Sequence, residues 1–289
     1  MVSLELLSSL DGLLWLQSGK EVGAQLHQHQ TTISRNLRKC AEEFGLSLKK
    51  HNGTWAIDGD TQLLNLEREV HQSARFLDMA PLRLEANGWM DGGLFHPAPD
   101  GWLTGTNKPL GVYRCLHLLR ACIVDAWICP LPDAPLNSDL LSSITLCRVP
   151  IRLMVSSDHP LLKLRSITLK QAKTYPWRPI PRGAYPGTER TLQKLGIWPP
   201  ARPRQKVEEQ SYKGRKKTEI SVHVGSVLTK NLCTQELVAL PFELGANTGV
   251  ALVVKRENIG QEAIQVLRDA LLRRLKRHQL DHPEIHILN

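Results

Sequence analysis

The chain has 289 residues, more than one ordinary domain, so two or three folded units are expected. Hydrophobic residues at 42% and charged residues at 22% exclude a disordered chain. The formal net charge of +9 suits a polyanionic partner but sets solubility and encounter, never fold. Six cysteines (Cys40, Cys115, Cys122, Cys129, Cys147, Cys233) without a CxxC pair exclude a disulfide framework and a zinc finger. No uncharged apolar run approaches the ~18 residues of a membrane span. The N-terminus carries Glu5 and Asp11 without a basic leader, so it reads as an amphipathic helix and not a signal peptide.

Residues 4–16 place Leu6, Leu7, Leu10, Leu13 and Leu14 at helical spacing, a first helix. A short second helix follows over Glu21–Leu26, then the polar turn 27–30. A third helix over Thr31–Phe44 has Ile33, Leu37, Cys40, Ala41 and Phe44 on one face, with Gly45 as its stop. Leu46–Lys50 and Thr54–Ile57 flank His51-Asn52-Gly53, and Asn-Gly favours a two-residue hairpin turn. Three helices and a hairpin make a winged helix-turn-helix, residues 1–58. Its six basic and six acidic side chains cancel, so local placement must carry any argument for DNA. Basic residues gather instead in 202–217 and 268–277.

From 59 to 79 a linker helix is predicted, with Leu63, Leu66, Val70, Ala74 and Leu77 forming a narrow apolar seam suited to pairing with another helix. Beyond Pro81 strands and helices alternate. Strands are expected at Leu82–Ala86, Asp125–Cys129, Val149–Ser156, Ile220–Leu228 and Ala251–Lys255. Helices are expected at Gly111–Val124, Thr188–Leu195 and Gln261–Arg277, and 176–204 reads as loop. This alternation predicts an α/β fold with a mostly parallel sheet.

Residues Leu26–Gly45, LHQHQTTISRNLRKCAEEFG, resemble the turn and recognition helix of LysR-type transcriptional regulators. Gln30 and Thr31 open the helix, Ile33-Ser34 match the apolar-Ser pair, and Glu42 to Gly45 resemble the closing stop. Val22-Gly23 and Cys40-Ala41 stand where the family has other pairs. Later segments are similar to the family's effector domain: Ile123–Ile128 (IVDAWI), Ile151–Leu161 (IRLMVSSDHPL) and Leu237–Pro241 (LVALP). The resemblance implies a two-subdomain, periplasmic-binding-protein-like (type 2) effector domain over 80–289. Subdomain I would take about 80–153 and 237–280, and subdomain II about 154–236. It further implies a bacterial homodimer or homotetramer on a two-fold-symmetric operator, with no cofactor; the missing leader and span point to the cytoplasm, and an enzyme, the first rival, finds no HExxH, P-loop or GxSxG motif in the sequence.

A recognition helix must show short polar and bidentate side chains opposite its core. Gln30, Thr31, Thr32, Ser34, Arg35 and Arg38 fit base edges, Arg35 toward guanine. Lys39, Lys49, Lys50, His51 and Asn52 fit phosphates. The bland alternative is a solvated face with Arg35 and Arg38 paired to Glu42. For the effector, the resemblance points to Asn87, Gly88, Trp89, Thr104, Thr106, Ser156, Arg182, Gly183, Gly225 and Ser226, around a cleft where helix N-termini face an anion. Cys115 and Cys122 would sit ~10 Å apart along one helix, too far for a disulfide, and read as buried hydrophobes. Rival readings are a solute-binding protein, which needs no winged helix, and an RNA-binding protein using 202–217, where Tyr212 is the lone interleaved aromatic.

Overall fold

The computed structural model describes all residues except 1, 52, 87–91, 106–110, 179, 199–219, 230–236 and 289. Three helices open the chain: α1 (Leu4–Leu16), α2 (Gly19–Gln25) and α3 (Gln30–Glu43). Ser3 and Ser18 cap the first two by accepting Leu6 N and Glu21 N. Ile33 and Cys40 of α3 pack in one core with the leucines of α1, and Asn36 Nδ2 donates to Ser9 Oγ at 3.0 Å to fix the crossing. Strands β1 (Ser47–His51) and β2 (Thr54–Asp58) form the wing, with His51 opposite Thr54. Gly53 takes φ +82° in the turn between them, as the Asn-Gly pair requires.

Helix α1 departs from its expected amphipathic form. Every residue from Ser9 to Leu16 is buried, because the helix lies between α3 and the C-terminal half. One apolar core joins Leu7, Leu10, Leu13 and Trp15 to Val112, Leu118, Ile123, Trp127 and Val253. A helix apolar all round is a core helix.

Helix α4 (Gln62–Phe76) turns its polar side inward: Arg68, His71, Gln72 and Arg75 are buried with Leu64. Arg68 Nε donates to Asp11 Oδ1 at 2.8 Å. Arg75 grips Asp125 with Nε and Nη2, both at 2.8 Å, and Gln72 Nε2 adds a bond to the same carboxylate at 2.9 Å. Arg83 completes the knot, its N–H on Asp125 at 2.9 Å and its guanidinium 3.5 Å from Asp11. Burial, and then the neighbouring Arg75, pull Arg83 down to about 10, still charged at neutral pH.

The remaining chain builds two sheets. β3 (Leu82–Ala86), β4 (Trp102–Thr104), β5 (Ala126–Pro130), β6 (Leu141–Pro150), β10 (Asn247–Lys255) and β11 (His286–Ile287) form the first, in the order β11-β6-β10-β5-β3-β4. Only β3–β4 and β3–β5 are parallel; the other three pairings are antiparallel, so the sheet is mixed and not mostly parallel. The chain leaves it through β6 and returns through β10, and two such crossing strands lie side by side in opposite directions. β7 (Arg152–Ser156), β8 (His223–Gly225) and β9 (Leu237–Ala239) form the second sheet, in the order β8-β7-β9.

Two expectations change here. Val149–Ser156 is not one strand: Pro150 has no N–H to continue the ladder, and the chain changes sheets at Ile151. Leu237–Ala239 pairs with β7, so the return to the first sheet comes after it and not at residue 237. Helices α5 (Gly92–Phe95), α6 (Val112–Arg120), α7 (Leu169–Ala172), α8 (Pro186–Lys194) and α9 (Glu262–Asp281) cover the sheets, α9 burying Ile264, Leu267, Leu271 and Leu275 on the first.

Breaking one side of the buried knot strands a guanidinium. Asp125→Ala is expected to cost about 3–5 kcal/mol of unfolding free energy in urea titration; a loss below about 1 kcal/mol would show that Arg75 finds water.

Candidate nucleic-acid interface and sensor cleft

On α3, Gln30, Thr31, Ser34, Arg35, Arg38 and Lys39 are exposed and Thr32 is half-buried. The buried residues of the helix fall on the opposite face, so packing dictates which side chains are left out. No ion pair joins Arg35 or Arg38 to Glu42 among the described residues. The helix begins at His29 without a side-chain cap, leaving its first N–H groups to the surroundings. On the wing, Lys50 lies 5.7 Å from the centre of the Trp55 ring, and His51 is exposed. Lys49 pairs with Asp58, and that hydrogen bond holds the Asp58 carboxyl below its usual range. Lys49 therefore already has an anionic partner. Asn52 lies outside the described residues.

The flank of α3 stays open although its module is docked on the C-terminal half. Docking uses α1 and α2 instead. Trp15 Nε1 donates to Glu85 Oε2 of β3 at 2.5 Å, and Gln25 Nε2 donates to the Thr104 carbonyl of β4 at 3.1 Å. Arg114 of α6 donates to the Leu14 carbonyl. Burial pushes the Glu85 carboxyl up to about 8, against the opposing pull of Trp15, the Ala86 N–H and Arg114.

A cleft of about 80 Å³ lies between the two sheets. Val149, Ile151, Leu192, Val224 and Leu228 line it, with hydroxyls from Thr188, Thr191, Ser226, Thr229 and Thr248. Of the effector residues expected from sequence, Gly225 and Ser226 line this cleft. Thr104 lies against α2 and near His96. Ser156 is buried at the end of β7, and Arg182 and Gly183 are exposed in the turn before α8. Asn87, Gly88, Trp89 and Thr106 lie outside the described residues. Sequence reasoning missed Asp133, whose carboxylate accepts Gly187 N at 2.6 Å, Thr188 N at 3.1 Å and Thr188 Oγ1 at 2.6 Å. The Pro186-Gly187-Thr188 start of α8 was the available signal, but its partner lies 55 residues away.

The five described cysteines are free and buried. Burial pushes the Cys40 and Cys147 thiols up to about 12 and raises those of Cys115, Cys122 and Cys129, which keeps the reactive thiolate scarce. Cys233 lies outside the described residues.

No protein-family model matches the sequence, and no curated protein matches it. Solved structures do. Full-length OxyR from Pseudomonas aeruginosa aligns at 19% identity and a TM-score of 0.51, over 94% of this chain and 98% of that one. OxyR from Corynebacterium glutamicum, bound to hydrogen peroxide, aligns at 12% identity and 0.47, over 96% and 93%. CbnR in complex with its target DNA aligns at 12% identity and 0.48, over 94% and 99%. The chain has the fold of LysR-type regulators: a helical N-terminal module with its wing, followed by a mixed α/β half. Among the described residues, no helix is long and apolar enough to cross a membrane.

The raised Glu85 carboxyl gives the docked interface a pH dependence of known sign. A carboxyl held above its ordinary value of 4.5 favours the protonated folded form, so its contribution is complete below 4.5 and is lost as pH rises through about 8. Urea titrations from pH 5 to 9 should show wild type losing stability relative to Glu85→Gln across that window. Parallel curves would remove Glu85 as the cause.

Proposed function

We propose that this protein is a cytoplasmic, sequence-specific DNA-binding transcriptional regulator, whose activity is set by a small molecule bound between two α/β subdomains. In this reading residues 1–58 bind DNA, 59–79 dimerise, and 80–289 sense. The observation that carries it is the polar flank of α3, exposed from Gln30 to Lys39 while the opposite face of the helix is buried and α1 is enclosed in the core that the two halves share. A helix so presented fits the major groove, where Arg35 meets guanine O6 and N7 and Thr31 or Thr32 meets a thymine methyl group. Lys39, Lys50 and His51 would position the module on phosphates. The OxyR-like fold supports a regulator over an enzyme. A solute-binding protein has no use for the first 58 residues, and the 202–217 segment on which an RNA surface was expected lies outside the described residues.

The dimer follows from the inversion of α4. With its polar side consumed by the ionic knot, Leu63 is left 69% exposed, Leu66 55%, Val70 50% and Leu77 73%. A fully buried Leu or Val contributes about 1.5–3 kcal/mol, so a second copy of the same stripe is the natural cover. Two heads related by that axis read an operator of matching symmetry. The effector must bind one subunit arrangement better than another, since equal binding shifts nothing.

Genome-wide footprinting of wild type beside Arg35→Ala tests the DNA reading. Enriched sites should be lost in the variant, with discrimination at the contacted base falling by about 1–3 kcal/mol. Lys39→Ala should weaken all sequences alike and lower the salt slope by roughly one. Absence of enriched sites in wild type would overturn the regulator reading. For assembly, Leu66→Glu with Val70→Glu should convert the dimer to monomer in sedimentation velocity, and an unchanged dimer would place the interface elsewhere.

A further inference from the structure

The cleft between the two sheets is closed to anions at the place where this architecture could best hold one. The N-terminus of α8 reaches it through Thr188, and exposed N–H groups there would attract a carboxylate or phosphate. That position is taken by the chain's own Asp133, which receives Gly187 N, Thr188 N and Thr188 Oγ1. The turn carrying Asp133 sits hard on the helix: a Cβ added at Gly187 would lie 1.8 Å from the Pro132 carbonyl oxygen. No second anion fits between them.

The rest of the lining agrees. None of the side chains lining the cleft among the described residues is charged. An anion entering would lose its water against a described lining that offers it no charged side chain, and it would meet the Asp133 carboxylate behind Thr188. Most of the wall is aliphatic. Its hydroxyls are not equivalent, however. Thr188 and Thr191 spend their protons on Asp133 and the Gly187 carbonyl. Ser226 and Thr229 instead accept, from Leu228 N and Ser226 N, and neither hydroxyl proton is spent on another of the described residues, which leaves both for an acceptor on a ligand.

We propose that this cleft selects a small, uncharged, largely apolar effector bearing a neutral hydrogen-bond acceptor, a carbonyl or ether oxygen directed at Ser226 and Thr229. This rests on the sensor reading given above. It assigns that site a ligand class and gives Asp133 the role of excluding anions.

The test compares two probes of nearly the same shape, acetophenone and benzoate, on the full chain by saturation-transfer NMR titration. Acetophenone is expected to bind at least tenfold tighter than benzoate. Thr248→Trp, which fills the cleft from β10, should abolish the acetophenone signal, and Asp133→Ala should narrow the preference by letting benzoate approach α8. Equal or tighter binding of benzoate to wild type, no binding of either probe, or acetophenone binding unaffected by Thr248→Trp would each overturn the proposal. An unchanged ratio in Asp133→Ala would overturn the part given to Asp133. Arg35-dependent capture of genomic DNA fragments by the same preparation reports on the regulator reading separately and can succeed when the ligand preference fails.

Discussion

The rest of the molecule is organised around the buried knot of Asp11, Arg68, Arg75, Arg83 and Asp125. Three guanidinium groups share two carboxylates, and all five side chains are buried. Such a cluster adds little net stability over a well-packed apolar substitute, because each ion has lost its hydration. Its value lies in direction. A guanidinium that must meet a carboxylate in the plane of a fork admits one geometry, where leucines would admit several. Asp11 belongs to α1, Arg68 and Arg75 to α4, and Arg83 to β3, with Asp125 leading into β5. One set of bonds therefore fixes the head, the connecting helix and the first sheet together.

This arrangement joins the two functional regions through few parts. Strand β5 begins beside Asp125, which holds Arg75 of α4, and ends at Pro130, which lines the cleft. The strand spans about 17 Å at an extended rise. On the neighbouring strand β3, Arg83 enters the knot and Glu85 takes the indole of Trp15, so the head is bonded to the same sheet. A change in the cleft thus has a stiff route to the helix that bears the exposed apolar stripe and to the module that bears Arg35. The route consists of ladder bonds and buried ion pairs.

The elements of the head were legible because their cause is local. Apolar spacing gave α1 to α4 to within about three residues, and Asn-Gly gave the wing turn. The seam of α4 was likewise read from Leu63, Leu66, Val70 and Leu77, whose exposure leaves it available. What was not legible depends on partners far apart in sequence. Asp11 meets Arg68 57 residues later, so a polar residue in an apolar run looked like a solvent face when it was the centre of a core. Pro150 was the one mark of the sheet change at Ile151, and Asp133 carried no local sign of its bond to α8. The α3 flank was legible as polar, while the absence of partners for Arg35 and Arg38 among the described residues required coordinates.

The shared core around α1 also limits how the protein can be divided. In sequence the head ends near residue 58, but Leu13, Leu14, Trp15 and Leu16 are covered in part by Val112, Cys115, Leu118 and Trp127 from beyond that point. A transplanted head without an aspartate at position 11 and a tryptophan at position 15 would leave Arg68 and Glu85 of this chain without those partners. On the proposed reading, binding specificity would then change on the open side of α3 in place, because the inner side of the module is committed to its own C-terminal half.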